Sequence, residues 1–238
     1  MTLGVIGGLG PMATAQFMEM VIEMTDVSCD QEHLEMIIYN CPRIPDRTSY
    51  ILGQSKDNPA VPMTEIGRTL AVQGVSCIAI PCITAHYFYD ELSEKIGVPI
   101  INTLEETGRE LAGYGARRAG IMATDGTVKS GLFQEKFAGM GIESVLPDDR
   151  HQKYIMDVIY RNIKPGRPAD MELFQAAADH LRGRGAEILV LGCTELSVVS
   201  RQERLGAGYL DAMEVLAKRA VLACGGKLKT AYENLITE

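Results

Sequence analysis

Gln73-Gly74-Val75-Ser76-Cys77-Ile78-Ala79-Ile80-Pro81-Cys82 and Arg184-Gly185-Ala186-Glu187-Ile188-Leu189-Val190-Leu191-Gly192-Cys193 share one layout. In each, a glycine suited to ending a helix precedes a short apolar run, and a cysteine stands eight residues after the glycine. A threonine follows closely in both, at Thr84 and Thr194. Such a run, short, apolar and preceded by a helix stop, reads as a buried strand of a parallel sheet. Two copies 111 positions apart imply an internally duplicated α/β chain.

Outward from these segments the same alternation continues. Residues 3–7 read as a buried strand, and Pro11, suited to a first helical turn, opens a helix to about residue 25. A second strand at 34–39 leads through a loop rich in Pro and Arg to a helix over about 59–73. The strand at 76–80, a helix from about Thr84 and a last strand at 99–101 complete the first half. In the second half, residues 119–124 resemble the opening strand and residues 186–191 resemble 75–80. Strands alternating with helices imply parallel sheets covered on both faces. The expected fold is therefore α/β with two similar, pseudo-symmetric lobes, each a parallel sheet flanked by helices, and a site between them. Residues 1–101 with 211–238 form the expected first lobe, residues 102–210 the second, and a C-terminal helix over about 211–224 returns to the first.

The composition narrows the partners. Among 238 residues, 46% are hydrophobic and 23% charged, the balance of a globular protein, and the formal net charge is −8. Without a basic run, neither nucleic acid nor an anionic membrane surface is an expected partner, and a small molecule is. No apolar run reaches the roughly 18 residues of a membrane span, and the first residues lack a basic leader, so the expected location is cytoplasmic. Six cysteines, at 29, 41, 77, 82, 193 and 224, show no Cys-x-x-Cys spacing, so no metal site is expected and the thiols are read as free.

One cysteine at a strand end is ordinarily a small core residue. The mirrored pair points elsewhere. Ligands of parallel α/β sheets sit beyond the carboxyl ends of the strands, where Cys82 and Cys193 fall, and a helix N-terminus favours thiolate. Inverting a stereocentre needs one group to remove a proton from one face of a carbon and another to return one to the opposite face. Two lobes about a pseudo-twofold supply that relation, with thiolate as general base and thiol as general acid. Acid–base action of this kind gives only ~10²–10⁴-fold, so donors near Thr84, Thr194 and the Gly7–Gly10 turn must hold the developing charge.

Four segments extend this reading: Gly4-Val5-Ile6-Gly7-Gly8-Leu9-Gly10-Pro11-Met12-Ala13-Thr14, Ile44-Pro45-Asp46-Arg47-Thr48, Pro81-Cys82-Ile83-Thr84-Ala85-His86 and Gly192-Cys193-Thr194-Glu195-Leu196. Together they resemble the aspartate/glutamate racemase family over nearly the whole chain. The resemblance implies a two-lobed α/β fold, a homodimer, catalytic cysteines at 82 and 193, an acidic amino acid as substrate, and no cofactor. It further implies that Arg47, beside Thr48, clamps a substrate carboxylate and that Lys164 reaches the side-chain carboxylate. The guanidinium fork and the flexible ammonium suit those tasks. One position departs from the family: Ile83 stands where an Asn follows the first cysteine, and an Ile offers no hydrogen bond to substrate. Glu195, in place of the His of glutamate racemases, favours the aspartate branch.

Other features have competing readings. Gly8-Leu9-Gly10-Pro11-Met12-Ala13 fits a dinucleotide fingerprint, but Tyr39-Asn40 stands where a ribose-binding acid belongs and Pro11 removes a donor from the turn. Asn40, at a strand end, and Met12, in the family segment, are instead assigned to the substrate. His86 reads as a tuner of Cys82 or as a packing group; His33, His151 and His180 read as surface residues, and Cys41, Cys77 and Cys224 as structural. Two alternative functions remain open: a maleate-isomerase-like enzyme with a nucleophilic cysteine, and an amino-acid-binding protein without turnover.

Overall fold

A computed structural model describes residues 1–203 and 205–236. The first lobe runs β1 (Thr2–Gly7), α1 (Pro11–Met24), β2 (Glu35–Asn40), α2 (Arg47–Ile51), α3 (Ala60–Val72), β3 (Cys77–Ala79), a 3₁₀ segment (Ile83–Phe88) and α4 (Tyr89–Ile96). Its parallel strands lie in the order β2-β1-β3. Leu3, Val5 and Ile6 are wholly buried, as a central strand covered on both faces requires. Gly8 follows β1 at φ +94°, and a side chain there would collide with the Cys41 backbone, so this turn is open only to glycine.

The chain departs from the expected elements at two places. Residues 99–101 make only a parallel bridge, Ile78 to Ile100, because Pro99 has no N–H to extend a ladder and Asn102 caps the next helix. The helix expected from Thr84 opens as the 3₁₀ segment and becomes α-helical only at Tyr89.

The second lobe comprises α5 (Thr103–Tyr114), β4 (Arg118–Met122), α6 (Asp125–Lys129), α7 (Leu132–Ala138), β5 (Glu143–Val145), α8 (Asp149–Asp157), α9 (Met171–Gly183), β6 (Ile188–Leu191), α10 (Thr194–Glu203) and β7 (Tyr209–Asp211). A π-helical stretch, Val158–Ile163, continues α8. The parallel order β5-β4-β6-β7 repeats β2-β1-β3 with one strand added. β3 and β6 are therefore topological equivalents, and Cys82 and Cys193 follow them.

The final helix, α11 (Ala212–Ala223), starts on Asp211, whose carboxylate accepts from the Met213 N–H at 2.8 Å. It packs on α1 and β3 of the first lobe and on α5, α10 and β7. One buried apolar cluster consequently runs from Leu3 and Val5 through Val215 and Leu216 to Ile121 and Val190. Both sheets share this core, which fixes the seam between them. Among the described residues no helix is long and apolar enough to cross a membrane.

Candidate active site

A small, narrow cavity lies at the seam. The first lobe contributes Leu9, Asp46, Arg47, Thr48, Cys82, Ile83 and Thr84, and the second contributes Thr124, Tyr160, Lys164, Cys193, Thr194 and Glu195. Nine of the residues singled out in the sequence meet there. Two do not. Met12 is 66% exposed on an outer groove that shares Lys164 and Glu195 with the cavity. Asn40 is exposed at the end of β2, the edge strand farthest from β3 and its cysteine.

Four further residues line the cavity: Leu9 and Asp46, which stand inside the quoted family segments without a role of their own there, and Thr124 and Tyr160, which no motif marks. Thr124 follows β4, in the region already matched to the opening strand, and strand ends were the usable cue. Tyr160 lies on the π-helical stretch four residues before Lys164, and both line the cavity.

Cys193, at the start of α10, is held on the acidic side of the cavity. Its Sγ donates to Glu195 Oε2 at 2.9 Å, and the Thr194 hydroxyl donates to the same oxygen at 3.3 Å. Glu195 Oε1 lies 3.0 Å from Lys164 Nζ, which sits 4.9 Å over the Tyr160 ring. Burial, then the Glu195 carboxylate, pushes the Cys193 thiol well above its ordinary value, although Lys164 pulls the other way. Burial opposes the Lys164 charge, yet Glu195 and Cys193 outweigh it and hold the ammonium above the usual lysine range. Tyr160 is pushed up to about 12, chiefly by burial, and stays a neutral phenol.

Cys82 faces the opposite electrostatics. Arg47 is buried, and burial works against its charge, but Cys82 and Asp46 outweigh that and raise it. Its Nη2 donates to the Leu9 carbonyl at 3.0 Å and its Nη1 to the Pro45 carbonyl at 2.9 Å, which leaves Nε buried without a partner. The guanidinium is thus already anchored by backbone on two sides, rather than projecting as a free fork. Asp46 caps α2 through the Ser49 N–H at 2.8 Å; despite burial, that bond and Arg47 hold its carboxyl below the ordinary range.

His86 serves the backbone. One ring nitrogen is 3.1 Å from the Cys82 carbonyl, and the other accepts from the Thr103 N–H at 3.2 Å, which assigns the proton to the first. Burial keeps its pKa below that of a free imidazole. The ring therefore ties the Cys82 loop to the start of α5. Across the seam, the Thr84 hydroxyl is 3.1 Å from that of Thr124 and 3.0 Å from that of Thr127. In the glycine turn, the Gly8 N–H donates to Thr14 Oγ1 at 2.9 Å, so a donor that a dinucleotide phosphate would need is already used.

Away from the cavity, His151 and His180 are half-buried rather than surface residues; their rings stack at 3.9 Å beside Asp148. The three groups place ligand-capable atoms within 4.8 Å of one another. The ring planes are only 9° apart, so the nitrogen lone pairs run alongside each other instead of converging, and Asp148 is occupied in capping α8.

Two duplicated α/β lobes thus share one polar cavity at their seam, the layout of a two-lobed enzyme. In particular, the chain belongs to the Asp/Glu/Hydantoin racemase family, which it matches over residues 6–220. Its fold superposes on Picrophilus torridus aspartate racemase with a TM-score of 0.84, 28% identity and 98% coverage of both chains. It is 27% identical over 226 residues to the broad specificity amino-acid racemase RacX of Bacillus subtilis (strain 168), spanning 92% of this chain and 96% of that one. Glutamate racemase from Francisella tularensis subsp. tularensis SCHU S4, solved with D-glutamate, shares the fold at a TM-score of 0.67 and 17% identity, over 92% of this chain and 78% of that one.

Proposed function

We propose that the chain racemises an acidic amino acid, aspartate or glutamate, by two-base proton exchange between Cys82 and Cys193, without a cofactor. The single observation that carries this reading is the convergence of two thiols, one from each duplicated lobe, on one cavity that also holds Arg47 and Lys164. Each thiol follows a topologically equivalent strand, so the pair inherits the approximate twofold relation that inversion of a stereocentre demands.

The charges around the two sulfurs differ. Arg47 lies on the Cys82 side of the cavity, and Glu195 keeps the proton on Cys193. In this reading Cys82 removes the α-proton of one enantiomer while the Cys193 thiol delivers a proton to the opposite face. For the other enantiomer the roles reverse. Lys164 receives the side-chain carboxylate, sharing its charge with Glu195, and threonine hydroxyls at 48, 84 and 194 supply neutral donors at the cavity wall. The anion that builds up on the substrate is met by the buried Arg47 in a site of small volume, where charge interactions are screened less than in water. Ile83 removes one polar partner and leaves side-chain selection to Lys164 and the cavity's size.

A homodimer in a reducing, cytoplasmic setting completes the proposal, consistent with six free cysteines. Purified protein incubated with L- and D-aspartate and glutamate in D₂O, without added cofactor, tests the function. NMR should show deuterium entering the α-position and the opposite enantiomer accumulating. An α-proton that does not exchange with any of the four substrates would refute the reading.

A further inference from the structure

Two cysteines outside the cavity are in contact. Cys77 Sγ on β3 and Cys224 Sγ at the C-terminal end of α11 lie 3.6 Å apart, although 147 positions separate them in the chain. Both are free thiols, 5% and 8% exposed. Neither takes part in the proton transfer proposed above. The close approach of the two sulfurs results from the C-terminal helix folding back on the first sheet.

We propose that Cys77 and Cys224 form an oxidisable dithiol, a modification site at which a small peroxide closes a disulfide between β3 and α11. A disulfide needs about 2.05 Å between sulfurs, so closure from 3.6 Å asks for an approach of about 1.5 Å. The hydrogen bond between the sulfurs favours thiolate on Cys224 and keeps the Cys77 thiol protonated. Cys224 is also the more exposed of the two, at the end of its helix, and is the entry point for the oxidant.

The chemistry balances in two steps. The Cys224 thiolate attacks one peroxide oxygen, the O–O bond breaks, and with one proton taken up the products are Cys224 sulfenic acid and one water. The Cys77 sulfur then attacks the sulfenic sulfur; the S–S bond forms, the S–O bond breaks, and the hydroxyl leaves as a second water with the Cys77 proton. Overall, two thiols and one peroxide give one disulfide and two waters. A dithiol reductant reverses the link by exchange. Closure would pin α11, which touches both lobes, to the strand that leads to Cys82.

The test treats the folded, full-length protein with limiting hydrogen peroxide, then alkylates remaining thiols in denaturant and maps peptides by mass spectrometry. The expected result is a Cys77–Cys224 linked peptide as the dominant cross-link, the loss of those two thiols from alkylation, and their return after dithiothreitol. Repeating the oxidation in Cys82→Ser/Cys193→Ser protein keeps the reactive cavity thiols from consuming the oxidant, and the same link should form. In Cys224→Ala, Cys77 should remain alkylatable after oxidation. Recovery of Cys77 and Cys224 as free thiols once Cys29 or the cavity cysteines are oxidised, or a dominant link between any other pair, would overturn the proposal.

Discussion

Cys193 Sγ donates to Glu195 Oε2 at 2.9 Å, so the second-lobe thiol carries its proton against a carboxylate. Its first-lobe counterpart, Cys82, faces the buried Arg47 instead. The duplicated fold thus places two equivalent sulfurs in opposite electrostatic surroundings.

This asymmetry is readable by alkylation. With iodoacetamide at neutral pH, Cys82 should be modified before Cys193, each followed by peptide mass spectrometry. Glu195→Gln removes the carboxylate that raises the Cys193 pKa, so Cys193 should react faster in that variant. Turnover should fall by about 10²–10⁴-fold where Cys193 is mis-set as an acid. Equal labelling of the two cysteines in both proteins would contradict the assignment.

Lys164 offsets Glu195 and pulls the Cys193 pKa down. Lys164→Met should therefore weaken substrate binding and push the Cys193 thiol still higher, so KM rises and kcat falls together. Loss of one charge-assisted contact corresponds to about 1.5–3 kcal/mol, or roughly 10- to 150-fold in kcat/KM. Steady-state racemisation of both enantiomers measures it; an unchanged KM would remove Lys164 from the binding set.

Across the seam, Thr84 makes hydroxyl contacts to Thr124 and Thr127 at 3.1 and 3.0 Å. Thr84→Val leaves those buried hydroxyls short of a partner and should cost about 1–3 kcal/mol in urea unfolding. Thr84→Ser keeps the hydroxyl and should recover most of it. Equal losses in the two variants would trace the effect to the methyl group rather than to the hydroxyl.

Glu214 gives a pH dependence. Burial, then the like charge of Asp211 and that of Glu23, raise its carboxyl to about 7 from 4.5, with Arg201 opposing. The folded state binds this proton more tightly than the unfolded chain. The resulting stability is fully present below about pH 4.5 and is lost as pH rises through about 7. Glu214→Gln should then exceed wild type in stability by about 1–3 kcal/mol at pH 8, with the difference shrinking towards pH 4.5. Urea unfolding at both pH values checks this, and a gain that does not change with pH would contradict it.

Much of the fold was legible because burial writes itself into sequence: strands covered on both faces are continuous apolar runs, and the repeat ending in Cys82 and Cys193 shows that two such strands are equivalent. β7 is illegible in the sequence because its three residues, the last of which is already the α11 cap, are too few to make a pattern. The site was legible where strand ends converge and illegible where convergence depends on sheet order. Asn40 ends β2 and Cys82 comes shortly after β3, but the order β2-β1-β3 sets those strands on opposite sides of β1. Tyr160 lies on a π-helical stretch that no residue pattern in the sequence marks.

The central claim, opposed thiols exchanging one α-proton, is tested most directly by following the first turnovers in D₂O with a protiated single enantiomer. Two separate bases predict product that carries solvent deuterium from the start while unreacted substrate stays protiated, and inversion lost in both Cys82→Ser and Cys193→Ser. Protium retained in the product, or either variant inverting its substrate at the wild-type rate, would contradict it.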